Sequence, residues 1–254
     1  MRFRTLSISV FVVAAVYAQP TASSFVSNAP NAPAPAKVDL SPEMRGDIFM
    51  ARKMYREAVE MYQQMPQSSP VTWNKVGIAF HQLGQLKLAR KNYERSIKLN
   101  SSYAEAINNL GTVDYAEKNY RRAVNHYRKA LKFAPDSASM RSNLGTALFA
   151  RKKYDLAFAE YQKALALDPN VFESRGSQGT VLQERSVVER AKFHYHLAKL
   201  YAQGGQPERA IQYLRKALEE GYNERDKIAT DDAFQGLRDH PEFQTLLKTE
   251  FRAL

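Results

Sequence analysis

The same residues return every 34 positions along this chain. Glycine stands at Gly77, Gly111, Gly145 and Gly179, alanine at Ala89, Ala123, Ala157 and Ala191, and tyrosine at Tyr93, Tyr127, Tyr161 and Tyr195. A fixed period of this length constrains the fold more than any other feature. Each repeat is one small unit that cannot bury its apolar face alone, so neighbouring units must stack into a continuous core.

Within a unit the apolar residues follow helical spacing. One unit reads Trp73-x-x-Val76-Gly77-x-x-Phe80, then Ala89-x-x-x-Tyr93 and Ser96. The next carries Leu110-Gly111, Ala123-x-x-x-Tyr127, Ala130 and Pro135, and a third carries Leu144-Gly145-x-x-Leu148, Ala157-x-x-x-Tyr161, Ala164 and Pro169. Each helical pattern breaks once, at turns such as Leu83-Gly84-Gln85 and Glu117-Lys118-Asn119. The small residues predict close approach of two antiparallel helices, with Tyr and Leu filling the space between hairpins. Pro135 and Pro169 end the second helix of their units.

This pattern resembles the tetratricopeptide repeat, W-x2-L-G-x2-Y, then A-x3-F, then P. The resemblance implies an all-α, right-handed solenoid of helical hairpins, about five units and a C-terminal helical cap. Four repeats are expected over 39–171, divided as 39–69, 70–103, 104–137 and 138–171. The first is shorter, with Gly46, Phe49, Ala58 and Tyr62 in the corresponding roles and Ser41-Pro42 as its helix start. Asp114, Ser96 and Ser101 depart from the pattern, standing where an aromatic, an alanine and a proline are usual.

Beyond Pro169 two registers compete. Gly179, Ala191, Tyr195 and Ala198 make 187–203 a second helix, whereas Leu197-Ala198-x-x-Tyr201, Gly205, Ala210, Leu214 and Ala217 make it a first helix. Residues 172–185 are expected to be an irregular connector or degenerate helix, since glycines there each cost about 1 kcal/mol in a helix. A further hairpin is expected over 186–222, capped at its start by Ser186-x-x-Glu189. Capping helices follow over 223–254, around Phe234 and Leu237, then Phe243, Leu246, Leu247 and Phe251.

The N-terminus reads as an address. Arg2 and Arg4 precede an uncharged, mostly apolar run from Leu6 to Ala18, and Val16-Tyr17-Ala18 offers small residues at a peptidase site. Residues 1–18 are therefore expected to be a secretion signal, too short for a span of about 20 apolar residues, and the protein to be periplasmic or secreted. Residues 19–38, rich in Pro, Ala, Ser and Asn, read as a flexible linker. With no cysteine, disulfides and thiolate metal sites are excluded.

The net charge of +11 is concentrated: residues 87–153 hold 15 Lys and Arg against five Asp and Glu. In the family that the chain resembles, first helices line the concave face and second helices the convex one. The resemblance thus points to a partner-binding groove of Asn74, Asn108 and Ser142; Ile78, Thr112 and Thr146; and His81, Tyr115 and Phe149. Such rows, neutral and aromatic, suit an extended protein or peptide partner. They lack the basic residues with which some family members clamp a terminal carboxylate. By the same reasoning Arg90, Lys91, Arg95, Lys98, Arg121, Arg122, Arg128, Lys129 and Lys132, with Arg151, Lys152 and Lys153 in a turn, form a basic convex surface.

No catalytic constellation is legible. The five histidines are scattered, and His194 and His196 fall on different faces of a helix. No HExxH, GxSxG or P-loop pattern occurs, and Arg175-Gly176-Ser177-Gln178-Gly179-Thr180 lacks the lysine of a phosphate cradle. The expectation is a non-enzymatic scaffold or adaptor without metal, cofactor or nucleic-acid partner. The alternative is a protein that adheres to an anionic membrane or polymer through its basic face.

Overall fold

The computed structural model describes residues 40–173, 186–249 and 251. The expected signal and linker, and 174–185 of the expected connector, lie outside the described residues. What is described is helical throughout: α1 (Pro42–Ala51), α2 (Tyr55–Tyr62), α3 (Pro70–Gln82), α4 (Leu86–Leu99), α5 (Ala104–Ala116), α6 (Tyr120–Phe133), α7 (Ala138–Ala150), α8 (Tyr154–Leu167), α9 (Val187–Gln203), α10 (Pro207–Glu219), α11 (Arg225–Thr230) and α12 (Pro241–Lys248), with a 3-10 turn at Asp232–Leu237. Consecutive helices pair as hairpins, α1 with α2 through α9 with α10. Between the first four hairpins α2 packs on α3, α4 on α5 and α6 on α7, and α3, α5 and α7 touch in sequence, so the hairpins form a solenoid.

The periodic glycine and tyrosine meet. A Cβ placed on Gly46, Gly77, Gly111 or Gly145 would lie 2.3, 2.6, 2.8 and 2.5 Å from a ring atom of Tyr62, Tyr93, Tyr127 and Tyr161 respectively. Each first helix thus lacks a side chain where the second helix inserts a ring. The periodic alanines Ala58, Ala89, Ala123 and Ala157 are fully buried beside them. Three ring hydroxyls are bonded back to the first helix of their own hairpin: Tyr62 donates to Asp47 at 2.7 Å, Tyr127 to Thr112 at 3.4 Å and Tyr161 to Thr146 at 3.2 Å.

Two departures from the repeat pattern have local causes. The buried Ser96 hydroxyl donates to the Pro70 carbonyl at 2.7 Å, tying α4 to the first turn of α3 as alanine could not. Asp114 is wholly inaccessible and accepts from Arg90 at 2.7 Å, while His126 lies 2.6 Å away. Burial would raise the Asp114 carboxyl, but His126 and Arg90 outweigh it and hold the group below the usual carboxylate range. The turns inside the hairpins also share a conformation. Gly84 and Gly205 have positive φ, and so do Lys53, Lys118 and Lys152, at 60°, 62° and 59°.

Ser186 caps α9, and α9 pairs with α10. Helix 187–203 is therefore the first helix of its unit. Ala198 and Leu214, sixteen apart like Gly145 and Tyr161, occupy the corresponding positions. Tyr195 instead stacks on Tyr222 and donates to Asp231, which also caps the 3-10 turn. Ile228, Phe234, Phe243 and Leu246 close the C-terminal end of the core. α8 and α9 do not make the close backbone contact seen at the earlier joints. Side chains bridge this joint instead: Phe193 lies edge-on to Phe149 and Tyr161, and His196 stacks on Phe158 at 4.0 Å between ring centroids.

Gly145→Ala is expected to destabilise the fold by about 1–3 kcal/mol through overpacking, although alanine is the better helix former by about 1 kcal/mol. The added Cβ would meet the Tyr161 ring and, at 3.0 Å, the Ala157 carbonyl oxygen, neither a flexible tip. Urea unfolding followed by circular dichroism reads the change; an unchanged midpoint would mean that the ring turns aside at no cost.

A second expectation concerns pH. Burial, then the charges of Lys199 and Lys227, hold the His196 imidazole down to about 4. A folded value below the unfolded one near 6.5 means that the unfolded chain takes up the proton first. The contribution to stability is complete above pH 6.5, declines from 6.5 to about 4, and is gone below that. His81 and His194 are shifted in the same direction, so His196→Phe should flatten this decline without removing it. A profile identical to the parent's would show that the stacked ring is not the titrating group.

Candidate functional site

A groove of about 410 Å3 crosses the first helices of four successive hairpins. α1 contributes Asp47 and Met50, α3 contributes Val71, Asn74, Lys75 and Ile78, and α5 contributes Glu105, Asn108 and Asn109. Tyr62 on α2, Tyr103 before α5, and Ser137, Ser139 and Met140 around the start of α7 complete it. Its members again follow the period, with Val71, Glu105 and Ser139 in one row and Tyr103 and Ser137 in another.

Three of the nine residues expected in a groove, Asn74, Ile78 and Asn108, line this one. Asn74 and Asn108 form its floor, at 5% and 4% exposure. Their amides are engaged between helices: Asn109 donates to Asn74 at 3.0 Å, Asn143 to Asn108 at 3.1 Å and Asn108 to Asn109 at 3.2 Å. The polar groups read as a ladder for a partner's backbone thus form a ladder within the stack. The other expected residues lie elsewhere. Phe149 is buried among Tyr154, Phe158 and Phe193. Thr146 is buried and accepts from Tyr161. Thr112 donates to the Asn108 carbonyl, and Tyr115 packs on Tyr120. His81 and Ser142 are half-buried outside the groove.

Beside Asn74, Ile78 and Asn108, the lining adds the row Val71, Glu105 and Ser139, near the starts of α3, α5 and α7. The groove is also charged. Lys75 pairs with Asp47 at 2.6 Å and Glu43 at 3.1 Å. Desolvation works against its ammonium, but these two carboxylates prevail and raise its pKa. Its charge is spent on them, and Glu105, exposed at the rim, leaves the groove with an acidic balance.

The basic residues divide into two groups. Arg90 is held by Asp114 and Glu117, Arg122 lies 3.6 Å from Asp114, and the Arg95 guanidinium stacks 3.4 Å from the centre of the Trp73 ring. These three are structural at least in part. Lys91 and Lys98 on α4, Arg121, Arg128, Lys129 and Lys132 on α6, and Arg151, Lys152 and Lys153 in the α7–α8 turn are exposed. Each of these nine lacks a carboxylate within 4.0 Å among the described residues. Among the described residues no cluster of His, Asp and Glu could hold a metal ion, and no helix is long and apolar enough to cross a membrane.

Comparison with known proteins bears on the fold. The tetratricopeptide repeat family matches at residues 68–136, 108–171 and 191–220, which together take in just over half of the chain. No curated protein matches the sequence. Among solved structures the chain is similar to MamA. One crystal structure of MamA is 18% identical, covers 71% of this chain and 96% of its own, and has a TM-score of 0.47. MamA from Desulfovibrio magneticus RS-1, residue 41 to its end, is 20% identical, with 70% and 91% covered and a TM-score of 0.47. MamA of AMB-1 is 22% identical, with 72% and 99% covered and a TM-score of 0.48. On its repeats, its hairpins and these family matches, the chain belongs to the tetratricopeptide repeat proteins, which are generally non-catalytic scaffolds for protein partners.

Proposed function

We propose that the chain is a non-catalytic adaptor that holds an extended segment of a protein partner in the groove across α1, α3, α5 and α7, on the concave face of the solenoid. The observation that carries this reading is the groove itself, lined by residues of four successive first helices. Its apolar members, Met50, Ile78 and Met140, can take side chains of the segment, while the rim carboxylate of Glu105 favours a lysine or arginine. The buried amides beneath keep the helix spacing fixed, so the segment meets a preorganised surface.

The test is selection from an arrayed peptide library on the full chain. Retained peptides are expected to combine apolar residues with Lys or Arg, and Glu105→Lys should weaken them about tenfold, as loss of a close charge pair does. Lys98→Glu, away from the groove, should leave them unchanged. Peptides indifferent to Glu105→Lys and sensitive to Lys98→Glu would move the partner site off the groove.

The same reading places the adaptor outside the cytoplasm, on the strength of Arg2, Arg4 and the apolar run Leu6–Ala18. N-terminal sequencing of the protein from its host should then begin at Gln19. A chain that still begins at Met1 would return it to the compartment where it is made.

A further inference from the structure

Several basic residues occupy positions that local stability disfavours, and they share one edge of the solenoid. The hairpin turns put one residue in the left-handed region, where a side chain is strained and glycine is the relaxed choice. Gly84 and Gly205 fill that position in two hairpins; in the other three it is Lys53, Lys118 and Lys152. Asn and Asp are the side chains that tolerate this conformation best, yet lysine stands there each time. Lys87 and Arg121 occupy the first turns of α4 and α6, where the helix dipole favours acidic residues and neither helix has one. Folding alone accounts for none of these choices.

Two exposed leucines lie among them. Leu88 and Leu156, 42% and 53% exposed, are two periods apart and hold the same place in the first turns of α4 and α8. Between them, the equivalent position in α6 is Arg122. Protein interfaces exclude lysine from their apolar centres. Leucine interspersed with lysine and arginine instead suits a headgroup region, where the apolar tips enter the acyl boundary and the long cationic stems reach phosphate.

We propose that the turn edge of the solenoid, carrying Lys53, Lys118 and Lys152 with Leu88 and Leu156, docks on a bilayer rich in anionic lipid. The lysines supply attraction to the headgroups and the leucines the distinction between a bilayer and a soluble polyanion. The surface is separate from the groove, so it stands or falls independently of the adaptor reading.

The test is co-sedimentation of the full chain with vesicles of phosphatidylcholine alone or with added phosphatidylglycerol, against soluble polyphosphate as the non-lipid anion. Variants are compared within the full chain, so the apolar run at residues 6–18 contributes equally to all. The parent is expected to bind only vesicles that contain phosphatidylglycerol, and less at high salt. K118G/K152G should raise the thermal midpoint, by relieving left-handed backbone, and yet weaken vesicle binding at least about tenfold. A variant that folds better and binds worse cannot be dismissed as misfolded. L88S/L156S should weaken vesicle binding and leave polyphosphate binding unchanged. The proposal is overturned if the parent ignores anionic vesicles, or if K118G/K152G binds them as the parent does. It is equally overturned if L88S/L156S binds vesicles as the parent does, since the edge would then be a site for polyanions and not for a bilayer.

Discussion

The fold depends on a ring pressed against bare backbone. In four successive hairpins a glycine on the first helix faces the tyrosine sixteen residues later on the second. The missing Cβ sets how near the two helices come, and the ring fixes their rotation about each other. With that distance set, the alanines beside them are fully buried. The hairpin is then a rigid piece with defined faces, and stacking follows from nearest-neighbour contacts alone.

On this scaffold the polar residues inside the stack serve to position helices. The Asn74, Asn109, Asn108 and Asn143 amides run from α3 through α5 to α7. Asp114 ties α4, α5 and α6 together through Arg90 and His126. A buried carboxylate is tolerable there because the Arg90 guanidinium and the His126 ring both reach it; stripped of its partners, such a buried charge would cost about 3–5 kcal/mol. Such networks fix register more than they add stability, which matters in a stack whose apolar contacts could otherwise slide.

The period alone made the hairpins and their turns legible, because each rests on spacing and residue size; the tyrosines, expected between neighbouring hairpins, instead meet the glycine of their own hairpin. The register of 187–203 was not legible, since Ala191 and Tyr195 satisfy one frame and Ala198 and Leu214 another, and only pairing with α10 decides. Of the candidate groove, the repeat made the first helices legible and with them Asn74, Ile78 and Asn108; Glu105 and Ser139 carry no signal in sequence beyond their place in the period. Burial was the harder quantity to read. Asn74 and Asn108 look like surface residues in sequence because their partners, Asn109 and Asn143, lie on neighbouring repeats at a separation of 35.

The joint between α8 and α9 differs from the others in kind. Elsewhere neighbouring hairpins meet helix against helix, but here Phe149, Phe158, Phe193 and His196 fill the seam. Rings meeting edge to face keep much of their contact through small rotations, whereas a helix lodged against a helix does not. The solenoid is thus continuous across this seam through side chains and not through backbone packing. Residue size governs the seam as it governs each hairpin, but there the fit is between rings and not between a ring and bare backbone.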